Sequence, residues 1–177
     1  MDLDRLNDQV LVTRSEVTTI GSAEIAEVKR LALASPQGRA RICTHRSADD
    51  ALHEMLIVLV SGRFVRPHAH RAKSESFHMI EGAVTIVLFD DRGEIARLVD
   101  LSAEKAGPFY YRLAVPTFHT VIAHGALAVF HETTNGPFKP EDTIFPAWAP
   151  DGQDAAAAAL FHNELLGRVA AFRAVPA

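Results

Sequence analysis

Residues 62–82 read GRFVRPHAHRAKSESFHMIEG, placing His68, His70, His78, Glu75 and Glu81 in an otherwise apolar, strand-like region. Such groups are costly to bury unless they share a task. His68 and His70 are two residues apart, so on a strand both side chains point to one face. Glu75 lies five residues after His70, on the next strand after a short turn. His119 follows much later, behind the proline-containing stretch AVPTFH. Three imidazoles and one carboxylate suit a divalent transition metal with one or two positions left open. Pro67, directly before His68, stiffens the approach of the chain. His78 sits three residues after Glu75, so alternation aims it at the opposite face and leaves it out of the donor set. Phe77 and Met79 share Glu75's face as apolar walls.

Outward from this stretch, residues 39–138 show short β-type runs: RARICTH, LHEMLIVLV, RFVRPHAH, ESFHMIEG, AVTIVLFD, EIARLVDL, PFYYRLAV, HTVIAH and LAVFHETT. Between them stand SG, EG, DDRG, AG and HG. Many short strands with no long helix among them indicate an antiparallel sandwich or barrel, mainly β. Residues 1–38 read as an N-terminal arm, VLVTRSEVTTI, and a helix with Ser22 as N-cap and Glu24 in its first turn. Ile25, Val28, Leu31 and Leu33 lie near one side of it. Residues 139–177 read as a proline-rich strap on the outside, then an alanine-rich helix starting at Asp151 or Asp154. Its stripe is Leu160, Leu165, Val169 and Phe172. All three segments belong to one domain.

The spacing Gly62, five residues, His68-x-His70, four residues, Glu75, six residues, Gly82 resembles the first cupin motif without a mismatch. The second motif is looser: Gly107 and PTFH offer its glycine, its proline and the ligand His119, but the glycine after the proline is missing. The histidine also stands one residue later. The resemblance implies a cupin double-stranded β-helix, or jelly-roll barrel. Over residues 39–150 the chain resembles more specifically the WbuC-type cupin-fold metalloproteins, through RICTH, LHEMLIVL, RPHAHRAKSESFHMIEG, FYYRL, VFHETTNGPF and PAWAP. That resemblance implies a link to surface-polysaccharide (O-antigen type) biosynthesis.

His131 and Glu132 point to opposite faces of a regular strand, and Val129 on the histidine side makes His131 the expected inward residue, with either one a candidate general base. Arg41, Arg66, Lys73, Tyr111 and Arg112 are candidates to grip an anionic or hydroxyl-rich ligand. Arg66 leads them because it shares the parity of His68 and His70. His45 and His53 are expected near the barrel mouth, His124 in a turn, His162 on a helix surface, and Cys43 as inert core.

The 177 residues carry 18 basic and 22 acidic side chains, a formal charge of −4, with 48% apolar residues. No basic run stands out, which argues against nucleic acid or an anionic membrane as partner. One cysteine permits no internal disulfide and suits a reducing, cytoplasmic compartment. The start MDLDRLNDQ is unlike a secretory signal, and no apolar run approaches the roughly 20 residues of a membrane span. The expected cofactor is one divalent transition metal ion: iron, manganese, nickel, cobalt or zinc. The leading functional expectation is metal-assisted isomerase- or epimerase-like chemistry on a sugar or nucleotide sugar. An Fe(II)-dependent dioxygenase and a non-catalytic sugar-binding cupin are the alternatives. A homodimer is expected, since open sheet edges invite pairing.

Overall fold

The computed structural model describes residues 2–104 and 107–175. In chain order the elements are β1 (Leu3–Arg5), β2 (Val10–Thr13), α1 (Ser22–Ala34), β3 (Arg39–Cys43), β4 (Leu52–Val60), β5 (Ala69–His70) and β6 (Glu75–Glu81). There follow β7 (Ala83–Phe89), β8 (Ile95–Ser102), β9 (Tyr110–Leu113), β10 (Phe118–Ala123), β11 (Leu127–Asn135), β12 (Thr143–Ile144) and α2 (Ala155–Ala174). A seven-stranded sheet in the order β1-β2-β3-β4-β11-β6-β9 faces a three-stranded sheet in the order β10-β7-β8. The arm residues Val10–Thr13 are inside the large sheet, where β2 runs parallel to β3.

Strict alternation sets the barrel interior. Leu59, Phe77, Met79, Val84, Ile86, Leu101, Tyr111, Val121 and Phe130 form one buried cluster between the two sheets. Many of the alternate residues do not meet solvent either, because each helix covers part of one outer face. Under α1, Ile42, Leu56, Val58 and Val129 pack against Val28, Leu31 and Ala32. Under α2, Val87, Phe89 and Ile122 pack against Leu165 and Val169. Strands buried on both faces read as apolar runs without a clean period.

That double burial overturns one expectation. Val129 is on the same face as His131, but it belongs to the cluster beneath α1, outside the barrel. Phe130 marks the interior face, so Glu132 points in and His131 points out.

The helices also differ from the reading in detail. Gly21, not Ser22, caps α1: its N–H donates to Glu24 Oε2 at 2.8 Å, and Ser22 is the first helical residue. Leu33 is exposed. Asp154 caps α2, its Oδ1 accepting from the N–H groups of Ala156 and Ala157 at 2.9 and 3.0 Å. The buried stripe of α2 is Ala158, His162, Leu165 and Val169. Leu160 and Phe172 are exposed at 61% and 40%, while His162, expected at the surface, is 7% exposed. His124, directly after β10, lies with its Nε2 2.7 Å from Thr85 Oγ1, a hydroxyl that also accepts from Arg173 near the end of α2.

Two motif glycines have a backbone reason. Gly62 and Gly82 both adopt φ +71°, a region L side chains avoid. At Gly82 a Cβ would also stand 2.6 Å from the Leu127 carbonyl oxygen. Gly107 has no such need, since a Cβ there would meet nothing within 4 Å. This accords with the looser second motif.

Candidate metal centre

RFVRPHAH is not a continuous strand. Pro67 offers no N–H to a ladder, and only Ala69 and His70 are regular, paired with β12. His68 instead forms an isolated antiparallel bridge with His119: the His68 N–H donates to the His119 carbonyl at 3.0 Å and the His119 N–H returns the bond at 2.8 Å. Two residues fifty-one positions apart in sequence are thereby tied backbone to backbone.

The two imidazoles are also oriented. His68 Nδ1 donates to the Arg66 carbonyl at 2.8 Å and His119 Nδ1 to the Thr117 carbonyl at 2.9 Å. A carbonyl only accepts, so each Nδ1 carries a proton, which leaves the inward-facing Nε2 as the atom available to a metal. Glu75 opens β6 opposite Thr134 of β11. Its Oε1 lies 3.0 Å from His119 Nε2, and its Oε2 lies 3.4 Å from His70 Nε2. One donor atom from each of His68, His70, Glu75 and His119 falls within 4.8 Å of all the others. That is a spread one ion, bonding at about 2.0–2.2 Å, can draw together.

Glu75 and His119 are 4% and 1% exposed. Glu75 Oε1 and His119 Nε2 are buried with no properly directed hydrogen bond. A carboxylate oxygen and an imidazole nitrogen left so are costly unless something binds them, and a cation is what this donor set suits. Burial, and then His119, lower the His68 imidazole to about 4, which favours the neutral ligand form. Burial opposes charge on Glu75 and His119, yet their mutual attraction holds the Glu75 carboxyl well below its ordinary range and raises His119.

The donors open onto a cavity of about 910 Å³. Arg66 lines it with its guanidinium 4.0 Å from the centre of the Phe145 ring, and its Nε is buried without a partner. Lys73 lines it too, its Nζ donating to the Pro137 carbonyl at 2.8 Å. Arg41 and Glu132 project from β3 and β11. Burial, with the Glu75 charge nearby, pushes the Glu132 carboxyl up to about 8. His45 and His53 stack in parallel at 4.0 Å along the same wall.

Other expected residues fall elsewhere. Arg112 is exposed: its neighbour Tyr111 is buried in the barrel, so alternation turns Arg112 outward beside Ser76. Tyr111 packs at 5.7 Å on Phe77, its hydroxyl buried and its ionisation raised by burial and then by Glu75. His131 lies on the outer face, 3.7 Å from Glu54. His78 is exposed against Phe109, outside the donor set. Cys43 is buried, and burial raises its thiol.

Sequence reading missed the roof. The strap does not merely wrap the outside: Thr143 pairs with His70, and Phe138, Thr143 and Phe145 line the cavity. The signal available was a phenylalanine beside a proline at 137–138 and again at 145–146, but nothing in it says which surface the strap covers. Arg39 was missed as well, though it shares the parity of Arg41.

A crystal structure of protein SO0799 from Shewanella oneidensis is similar at TM-score 0.55 and 12% identity, over 76% of this chain and 87% of that one. The barrel and its inward donor cluster decide the architecture, and this likeness shows that the fold is shared. The fold is the cupin barrel, with a helix at each end. A cupin superfamily protein from Desulfitobacterium hafniense aligns at TM-score 0.42 and 15% identity, over 55% of this chain and 76% of that one. An oxalate decarboxylase variant of Bacillus subtilis aligns at TM-score 0.44 and 20% identity, over 54% of this chain and 24% of that one. A family model described as a domain of unknown function (DUF6016) matches residues 20–101. No curated protein matches the chain. Among the described residues no helix is long and apolar enough to cross a membrane.

Proposed function

We propose that this chain is a metal-dependent cupin enzyme acting on a sugar or nucleotide sugar by isomerase- or epimerase-like proton transfer. One observation carries the reading: the four donors open directly onto the large cavity rather than being closed off, as structural sites are. A divalent ion held by His68, His70, Glu75 and His119 would supply polarisation of a carbonyl or hydroxyl oxygen.

The chain's own groups supply the rest. Glu132 and Glu75 face the same interior from neighbouring strands as a diagonal pair, with Glu132 opposite Phe77. Glu132 is the candidate to take a proton from carbon beside the polarised oxygen and return it, and a carboxyl at about 8 suits that exchange near neutral pH. Arg66, its guanidinium over the Phe145 ring and its Nε without a partner, and Lys73 are placed to bind hydroxyl or anionic groups of the substrate. His131, on the outer face, has no part in this reading.

The resemblance to WbuC-type proteins supports the carbohydrate class and surface-polysaccharide biosynthesis. The buried, free Cys43 accords with a reducing, cytoplasmic setting. A homodimer fits the open edge at β9, where Phe109, Tyr110 and Ile80 are exposed.

The test is incubation of metal-loaded protein with nucleotide sugars in heavy water. Deuterium should enter the sugar at carbon with wild type and not with Glu132→Gln. If no nucleotide sugar raises the melting temperature or exchanges a proton, the reading fails. Turnover that requires oxygen would replace it with oxygenase chemistry.

A further inference from the structure

Arg39 and Arg41 are two residues apart on β3, and both side chains line the cavity. Arg39 stands opposite Leu59 and Arg41 opposite Ile57 on β4. The order β3-β4-β11-β6 puts three strand spacings, roughly 14 Å, between their strand and the one that carries Glu75. They are therefore on another wall of the cavity from the metal-type donors.

The charge around them is unusual for this molecule. The chain as a whole carries −4, yet the cavity wall has Arg14, Arg39, Arg41, Arg46, Arg66 and Lys73 against the acids Glu75, Glu132 and Asp151. Arg14 is spoken for by Asp4 at 2.8 Å. Among the described residues neither Arg39 nor Arg41 forms an ion pair with a carboxylate. Partial burial, and then the like charge of Arg41, make the Arg39 guanidinium a weaker base. Glu132 feels Arg41, but it lies beyond ion-pair distance.

We propose that Arg39 and Arg41 form an anion subsite, remote from the metal-type donors, that binds a phosphate or similar doubly charged oxyanion of the ligand. Two adjacent guanidinium groups repel each other when left alone. A doubly charged oxyanion removes the repulsion, and each planar fork can bind it through two N–H groups. Both side chains keep open surface, so the subsite can be reached from solvent. The cavity, about 910 Å³, is at the upper end of small-molecule sites, large enough for one ligand that touches both regions. The substrate class is thus a molecule whose phosphate lies several bonds from its reacting oxygen, as in a nucleotide-linked sugar. This deepens the proposed function and rests on the cavity being its binding site.

The probe is inorganic pyrophosphate, titrated calorimetrically into the full chain. Wild type should bind it, and Arg39→Gln/Arg41→Gln should weaken binding about tenfold or more, a loss of roughly 1.4 kcal/mol or more. Arg39→Lys/Arg41→Lys, which keeps the charges and guards against misfolding, should fall between. Arg112→Gln, on the outer face, should bind as wild type. His119→Ala should lose metal yet bind pyrophosphate within about twofold, so failure of the metal reading and failure of this one are distinguishable. Equal binding by wild type and the double glutamine variant, or no binding by wild type at millimolar pyrophosphate, overturns the subsite.

Discussion

His119 Nε2 lies 3.0 Å from Glu75 Oε1, and both atoms are buried without a directed hydrogen bond. The backbone bridge between His68 and His119 and the Nδ1 bonds to carbonyls hold these groups in place before any ligand arrives. Preorganised donors of this kind bind metal with little rearrangement. Glu75→Gln and His119→Ala should each lower metal affinity by about 100-fold or more, read by elemental analysis after dialysis. Adding metal at about a hundred times the wild-type dissociation constant should stabilise wild type by about 2.7 kcal/mol and the variants by no more than about 0.4 kcal/mol. Equal metal content in wild type and both variants would disprove the centre.

The opposed faces of His131 and Glu132 allow a contrast on one strand. His131→Ala, on the half-exposed outer face beside Glu54, should change stability by no more than about 0.5 kcal/mol and leave metal binding and turnover as they were. Glu132→Gln should keep metal while turnover falls by about 100-fold or more. Reversal of the two phenotypes would show that the strand parity has been misassigned.

The motif glycines separate backbone need from pattern. Gly82→Ala puts a Cβ 2.6 Å from a backbone oxygen at φ +71°, which should cost about 1–3 kcal/mol in urea unfolding. Gly107→Ala should be neutral within about 0.5 kcal/mol, because nothing stands near its Cβ.

Those two glycines show how much the sequence makes legible. The barrel and its four donors could be read because spacing, alternation and the left-handed turns are local rules: Glu75 and His78 sorted to opposite faces as expected. His131 could not be sorted, because α1 buries the outer face of β11 and makes Val129 as apolar as Phe130. Arg112 failed for want of a fixed parity on the short strand β9, and His162 because an alanine-rich helix has no distinct apolar side. The roof over the site was invisible for another reason. Phe145 reaches Arg66 only through the pairing of β12 with β5, a non-local contact without a repeating pattern.

Glu132 also predicts a pH dependence in the metal-free protein. Burial and the Glu75 charge push its carboxyl from an ordinary 4.5 up to about 8, so the folded chain holds that proton more tightly than the unfolded chain. A raised carboxyl contributes stability that is fully present below about pH 4.5 and is lost as pH rises through about 8. His68, lowered to about 4 from 6.5, works the other way: its contribution is present above 6.5 and lost as pH falls through about 4. Burial opposes charge on His119, but Glu75 raises it above 6.5, so its contribution is lost in the same direction as pH rises above 6.5. The Glu132 share between 6.5 and 8 is therefore the part that removing its carboxyl abolishes. Urea unfolding of metal-free wild type should show stability falling across that window by about 1–3 kcal/mol, and Glu132→Gln, which cannot ionise, should make the slope clearly shallower. A slope undiminished in Glu132→Gln would assign the titration to another group and remove the case for a raised carboxyl on the cavity wall.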